Sequence, residues 1–354
     1  MYVALSIIVA LVGGWLIPWV AMKFIMRARF KSGKQQTTNY AGNTVSYGLG
    51  LVWLAWAATL LVFLVKGSWL SGVLPQLFEA AETAGGVGPA VIDSGAGQAL
   101  LQVVSTYTFG NTFFLWAIPL VVACFFFGWL DDRFGKHGDG GFRGHVKSLF
   151  KGKLTTGMAK VLGIGLVALV VSIPANGFGF FDGSLTYIMG LDVFWILLSM
   201  CAIALSANLI NLFDLRPARA SKAYVAAFID TAFIVVCAAF VITAVVGIFN
   251  PWEMLLNEVV RLLWALGPIF AIWRYDAGER AMLGDAGANP AGALLGLYAV
   301  VGLWIMPPAF VVLLPLYVLF VLILNLLSEK YSFSEVIEAV PILKQIDMLG
   351  RPKN

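Results

Sequence analysis

Runs of about 20 apolar residues recur along almost the whole chain, and each is long enough for an α-helix to cross a hydrocarbon core about 30 Å thick. A soluble domain carries about a quarter charged residues. Here 12% of 354 residues are charged and 60% are hydrophobic. The expected fold is all-α, a polytopic transmembrane helical bundle of about nine spans. They fall at roughly 2–26, 44–65, 111–130, 155–175, 191–212, 223–249, 254–273, 288–305 and 308–327. Pro307-Pro308 splits the last long apolar stretch into a helical hairpin. The first run, from Tyr2 to Met26, is too long for a signal peptide and lacks a basic start and a small-residue cleavage site. Residues 1–327 are read as one transmembrane bundle, with an insert at about 67–110 and a loop at about 131–154. Residues 328–354 are read as a tail.

Lysine and arginine set the orientation. They crowd the loops after spans one, three, five and seven and the tail, for example Arg27, Lys147, Arg216, Arg274 and Lys344. The alternate loops hold almost none. By the positive-inside rule the N-terminus is outside and the C-terminus cytoplasmic. In the tail, Ser332 and Glu335 read as a capping box. Val336, Ile337, Val340, Leu343 and Ile346 then recur near helical spacing, so an amphipathic helix is expected on the cytoplasmic membrane surface. Cys124, Cys201 and Cys237 lack metal-ligand spacing and read as packing residues. The net charge is +4, and nothing in its pattern points to nucleic acid.

Three polar clusters interrupt this apolar chain, each where a span meets a cytoplasmic loop. Asp131-Asp132 ends span three and Asp214 follows span five. A carboxylate at a helix C-terminus opposes the helix dipole, so a cation should compensate. Mg2+ suits such a place, because it takes one or two carboxylates plus phosphate oxygens. A polar stop signal paired with Arg133 is the plainer reading of Asp131-Asp132. Asn208, Asn211 and Asp214 form one helical stripe about 9 Å long. They either seam two helices together or bind sugar and diphosphate oxygens. Gly284-Asp285-Ala286-Gly287 opens span eight, where small residues let backbone amides approach a phosphate. Alternatively it is a tight turn with Asp285 as a cap.

In this order, Asp-Asp, Asn-x-x-Asn-x-x-Asp and Gly-Asp-x-Gly resemble the polyprenyl-phosphate N-acetylhexosamine-1-phosphate transferase family. The resemblance runs from about Asn39 to Leu327 and includes Asn39-Tyr40-Ala41-Gly42 with Gly48 and Gly50. It implies an integral enzyme of the bacterial cytoplasmic membrane with its active site facing the cytoplasm. Its substrates would be a UDP-sugar and undecaprenyl phosphate. UMP would leave, and a polyprenyl-diphosphate-sugar would remain for cell-envelope polysaccharide or peptidoglycan synthesis. The implied cofactor is Mg2+, with Mn2+ as the alternative, held by Asp285 and Asp214. Asp131, Asp132, Asp214 and Asp285 would be the catalytic acids. Asn208, Asn211, Lys160, Arg216, Arg219, Lys222, Gly284 and Gly287 would contact substrate. For Lys160 the plainer reading is a snorkelling lysine. A homodimer is implied as well.

The chain also departs from the family. Its loop after span three is long and glycine-rich. Arg216, Arg219 and Lys222 follow Asp214 where the family has glycines, as an anion-binding edge or as ordinary flanking charges. His137 and His145 are the only histidines, and neither lies in the last loop, where the family has a cluster. These departures keep open a non-catalytic relative that binds lipid phosphate or nucleotide-sugar. A transporter fits less well, since polar residues do not line a path across the membrane; Asp230 and Asn325 alone stand within spans six and nine.

Overall fold

A backbone in hydrocarbon must satisfy its own hydrogen bonds, which a single segment does only as a helix. The computed structural model of the chain describes residues 2–32, 36–38, 42, 44–65, 112–135, 144, 148–177, 191–246, 251–304 and 307–351. Among these residues there are eight helices long and apolar enough to cross a membrane, and a shorter apolar helix at Leu51–Val65. The all-α membrane bundle of about nine spans is what the apolar runs predict. The expected insert at 67–110, Asn39-Tyr40-Ala41, and residues 136–143 and 145–147 of the loop at 131–154, with His137 and His145, lie outside the described residues.

Helix α1 runs from Tyr2 to Ser32, with a π-helical stretch at Leu11–Leu16. Leu51–Val65 is α2. Then come α3 (Thr112–Phe134), α4 (Thr156–Gly177), α5 (Leu191–Leu212), α6 (Arg219–Val246) and α7 (Pro251–Asp276). The bundle closes with α8 (Asp285–Trp304) and α9 (Pro307–Ser328). The tail is two short helices, α10 (Phe333–Ala339) and α11 (Pro341–Met348). The Ser332 hydroxyl accepts from the Glu335 amide at 3.4 Å, the N-cap read from the sequence. Pro341 breaks the tail in two, because it cannot donate to the preceding turn.

One expectation is corrected. Residues 44–47, assigned to span two, form a strand instead. This strand, β2 (Thr44–Tyr47), pairs antiparallel with β1 (Gln36–Thr38) and parallel with β3 (Ala281–Met282). The sequence Thr-Val-Ser-Tyr is β-branched and aromatic, which suits an extended chain better than a helix end. The small sheet matters because β3 leads straight into the loop at Gly284.

Helix α8 is the centre of the bundle. It is the least hydropathic of the eight long helices, yet every residue from Ala286 to Leu303 is buried. Its neighbours are chiefly α5 and α3, then α6 and α9. Small residues permit that enclosure. A Cβ at Gly292 would lie 2.6 Å from the Ala207 Cα, and one at Gly296 would lie 2.6 Å from the Ile203 Cα. Trp53, Trp56, Trp264, Phe113 and Tyr298 fill the surrounding core. The outer faces carry exposed Leu166, Phe233 and Phe320, as lipid contact requires. Cys124 packs inside as expected, whereas Cys237 is exposed on that outer face.

Candidate functional site

The C-terminal ends of α3 and α5 meet the N-terminal ends of α4 and α8 at one end of the bundle, here termed the polar end. Asp131 and Asp132 stand in the last turn of α3, and Lys160 in the second turn of α4. Asp285 is the first residue of α8, and Asp214 lies two residues past α5.

Lys160 bridges two acids. Its Nζ is 2.8 Å from Asp131 Oδ2 and is also paired with Asp285. The Thr156 hydroxyl bonds Asp131 as well. The cation that the dipole argument demanded at the end of α3 is thus supplied from α4.

Asp132 meets a different positive group, the N-terminus of α8. Its two oxygens accept the backbone amides of Asp285 at 3.0 Å and Ala286 at 2.8 Å. Asp214 accepts the Gly284 amide at 2.7 Å. Amides that sequence reasoning offered to a phosphate therefore have these two carboxylates as partners. The effect is positional. Two acids from α3 and the α5 loop cap α8 from outside and aim Asp285 at Lys160. Gly284 has φ 67, a left-handed conformation that glycine adopts without strain, and that turn presents its amide to Asp214.

Close approach of the backbones depends on two further glycines. A Cβ at Gly128 would lie 2.6 Å from the Asp285 carbonyl carbon, and one at Gly50 would lie 2.8 Å from the Gly287 nitrogen. Gly287 faces into this packing, and its carbonyl accepts from Trp53 Nε1 at 2.9 Å.

Burial pushes the Asp214 carboxyl well above the ordinary carboxylate range, and the neighbouring Asp276 adds to this, while the Gly284 amide opposes it. Asp276 is itself buried at the end of α7 and accepts from the Ser221 hydroxyl at 3.2 Å. Between them is a cavity of about 20 Å³, room for about one water. Arg216, Pro217 and Glu279 also line it. Ala218 and Glu279 adopt positive φ of 58 and 55 on either side of this loop pair.

The other expected contacts lie elsewhere. Asn208 donates to Asn325 at 2.7 Å, and Asn325 in turn donates to the Leu205 and Val321 carbonyls, a seam between α5 and α9. Asn211 is half-buried one turn before Asp214. Arg219 is buried and grips Asp347 of α11 with two bonds of 2.9 Å, and Ser334 with a third. Lys222 donates to the Asp347 carbonyl, and Arg216 reaches Glu338 at 3.3 Å. These three cations hold the tail against the loop after Asp214.

Sequence reasoning missed Asp276, Gly128, Thr156 and Trp53. Asp276 is an isolated acid among loop charges, and Gly128 carries no polar atom, so neither stands out by residue type. Asn289, one turn into α8 from Asp285, is buried, and its Nδ2 has no hydrogen-bond partner among the described residues.

The acids fit a hard divalent cation. Among the described residues no three acids, histidines or cysteines converge to hold a metal by protein ligands alone. Mg2+ asks for less, one or two carboxylates with water and phosphate oxygens. The Lys160 ammonium already stands between Asp131 and Asp285 as a cation would. Comparison with protein-family models and with curated proteins gives no match to this chain.

Proposed function

We propose that this chain transfers a sugar-1-phosphate from a UDP-sugar to undecaprenyl phosphate at the cytoplasmic face of a bacterial membrane. One observation carries the reading. Asp131, Asp132, Lys160, Asp214 and Asp285, spread over four helices and their loops, come together at a single end of the bundle. The motif order supplies the reaction class, with a UDP-N-acetylhexosamine as the expected donor.

In this reading an oxygen of the lipid phosphate attacks the β-phosphorus of the donor. The bond from that phosphorus to the bridging oxygen breaks, and UMP leaves with the electron pair. The lipid phosphate is largely ionised near pH 7 and needs no strong base. Asp131 orients it or takes its residual proton. Lys160 turns from the acids to the incoming phosphates and offsets their mutual repulsion. Asp285 would hold a Mg2+ ion, with Asp131 in place of the expected Asp214, whose carboxylate takes the Gly284 amide; such an ion would supply positive charge to offset the diphosphate. Asp132 and Asp214 keep Asp285 in place.

A second reading, a binding protein without turnover, draws on the tail. Arg219 and Lys222, candidate anion contacts, are occupied by Asp347. Purified membranes given undecaprenyl phosphate and a panel of UDP-sugars separate the two by mass spectrometry of lipid products. UMP release with a matching lipid product supports transfer. It should be lost in Asp285→Ala with folded protein retained. Donor binding without product over the whole panel establishes the second reading, and full activity of Asp285→Ala removes Asp285 from the reaction.

A further inference from the structure

Asp230 lies at the middle of the membrane span and faces outward. It is exposed, within the apolar stretch Arg219–Val241 of α6, and no hydrogen bond or ion pair reaches it from the described residues. Eleven residues separate it from Arg219 at the polar end, about 17 Å along the helix. Packing fixes the level independently. Val235, one turn further on, sits against Gly302 near the far end of α8, where a Cβ would lie 2.9 Å from it. Asp230 is therefore far from either headgroup layer, and its side chain is too short to reach one. An ionisable group in hydrocarbon is expensive and ordinarily turns to the bundle interior or to a partner. This one turns away from the interior.

Asp230 itself lines no cleft, but the surface next to it along α6 has a shape. Phe233, Ile234, Cys237 and Val241 follow Asp230 at helical spacing, so Asp230 heads one stripe of α6. With Ala238, these four side chains form one wall of a cleft of about 450 Å³, and Ala309 and Leu313 of α9 form the other. A second cleft of about 220 Å³ shares Ile234 and Leu313 and continues to Tyr317 and Phe320. The hydroxyls nearby are satisfied: Thr231 bonds the Ala227 carbonyl, and Tyr317 bonds Ser206. Asp230 is the one polar group on this stripe, and Cys237, Ala238 and Ala309 are small enough for close helix approach.

We infer that the α6–α9 cleft seats a transmembrane helix of another protein that carries a basic side chain near its centre, opposite Asp230. An acyl chain fills a cleft but brings no donor to mid-membrane. A second copy of this chain brings the wrong charge. Among the described residues Arg261 and Lys160 are paired inside with Glu258 and Asp131, and Lys23, five residues from the end of its span, lies over the Trp19 ring, well away from the mid-membrane level of Asp230. A two-fold contact through this face would set Asp230 near its own counterpart. The inference does not depend on the transfer reaction.

The test uses the full chain in liposomes and a synthetic transmembrane poly-leucine helix with one central lysine, measured by energy transfer. A lysine-free helix is the control. The lysine helix should associate about tenfold more tightly than the control, the scale of a polar contact between helices in lipid. Asp230→Leu should abolish that preference, and Ala238→Trp, which fills the cleft, should weaken binding of the lysine helix. Asp230→Leu removes a charge from lipid, so it should insert and fold at least as well as the parent. Equal binding of both helices, an unchanged preference in Asp230→Leu, or a Cys237–Cys237 disulfide dimer on mild oxidation would each overturn the inference.

Discussion

Asp132 does more structural work than its neighbour Asp131. Both of its oxygens are bonded to the first amides of α8, whereas Asp131 shares a lysine. Asp132→Ala should leave two enclosed N–H groups without acceptors, at about 1–3 kcal/mol each. Asp132→Asn keeps one carbonyl acceptor and should recover part of the loss. Thermal denaturation in detergent compares the two, and hydrogen exchange at the Asp285 and Ala286 amides locates the change. Asp214 offers a pH test. Its carboxyl is raised in the folded chain by burial and by Asp276, so the folded state binds this proton more tightly than the unfolded one. That stabilisation is complete below about pH 4 and fades as pH climbs through the raised value. Melting temperature should decline less steeply with pH in Asp214→Asn than in the parent. A parallel decline in both would remove Asp214 as the source.

The hold on the tail helices centres on one buried acid. Asp347 sits between Arg219 and Arg351, and Arg351 also donates to the Pro217 carbonyl at 2.9 Å. Burial alone would raise the Asp347 carboxyl, but the Arg219 hydrogen bond and the Arg351 charge outweigh it and hold it below the ordinary range. Its contribution is present above about pH 4 and is lost as pH falls through the lower folded value. Asp347→Ala strands a buried guanidinium at roughly 3–5 kcal/mol. Tryptic cleavage at Lys344 should then become fast at neutral pH, and the parent should show comparable opening only in acid. This element also marks the limit of sequence reading. Apolar periods predicted the spans, and the carboxylates at their ends marked three of the elements that build the site, because charge beside a membrane span is conspicuous. The partners were not legible. Arg219 and Lys222 look like loop charges until Asp347, more than a hundred residues away, is brought to them. Asn208 looks like a ligand until α9 supplies Asn325. Such pairings depend on how helices pack, and helix spacing within one segment carries no information about that.

At the scale of the whole molecule, the charge pattern predicts that the polar end faces the cytoplasm. Thiol labelling of Ser148→Cys and Ser332→Cys should therefore proceed from the cytoplasmic side only, in a background without native cysteines. Reaction at either site from the outer side would reverse the orientation and the proposed access of substrate. The enclosure of α8 bears on how the chain is made. A helix with five glycine and alanine residues in its first eight positions and modest hydropathy gains little from lipid. Its favourable surroundings are other helices, and α3, α4, α5 and α6 all precede it in synthesis. Membrane assembly of this chain is thus ordered: a vestibule of early helices stands open until its plug is translated. A ribosome-arrested chain ending before Asp285 should expose that vestibule to lipid or chaperones, and its glycines would have no one to meet.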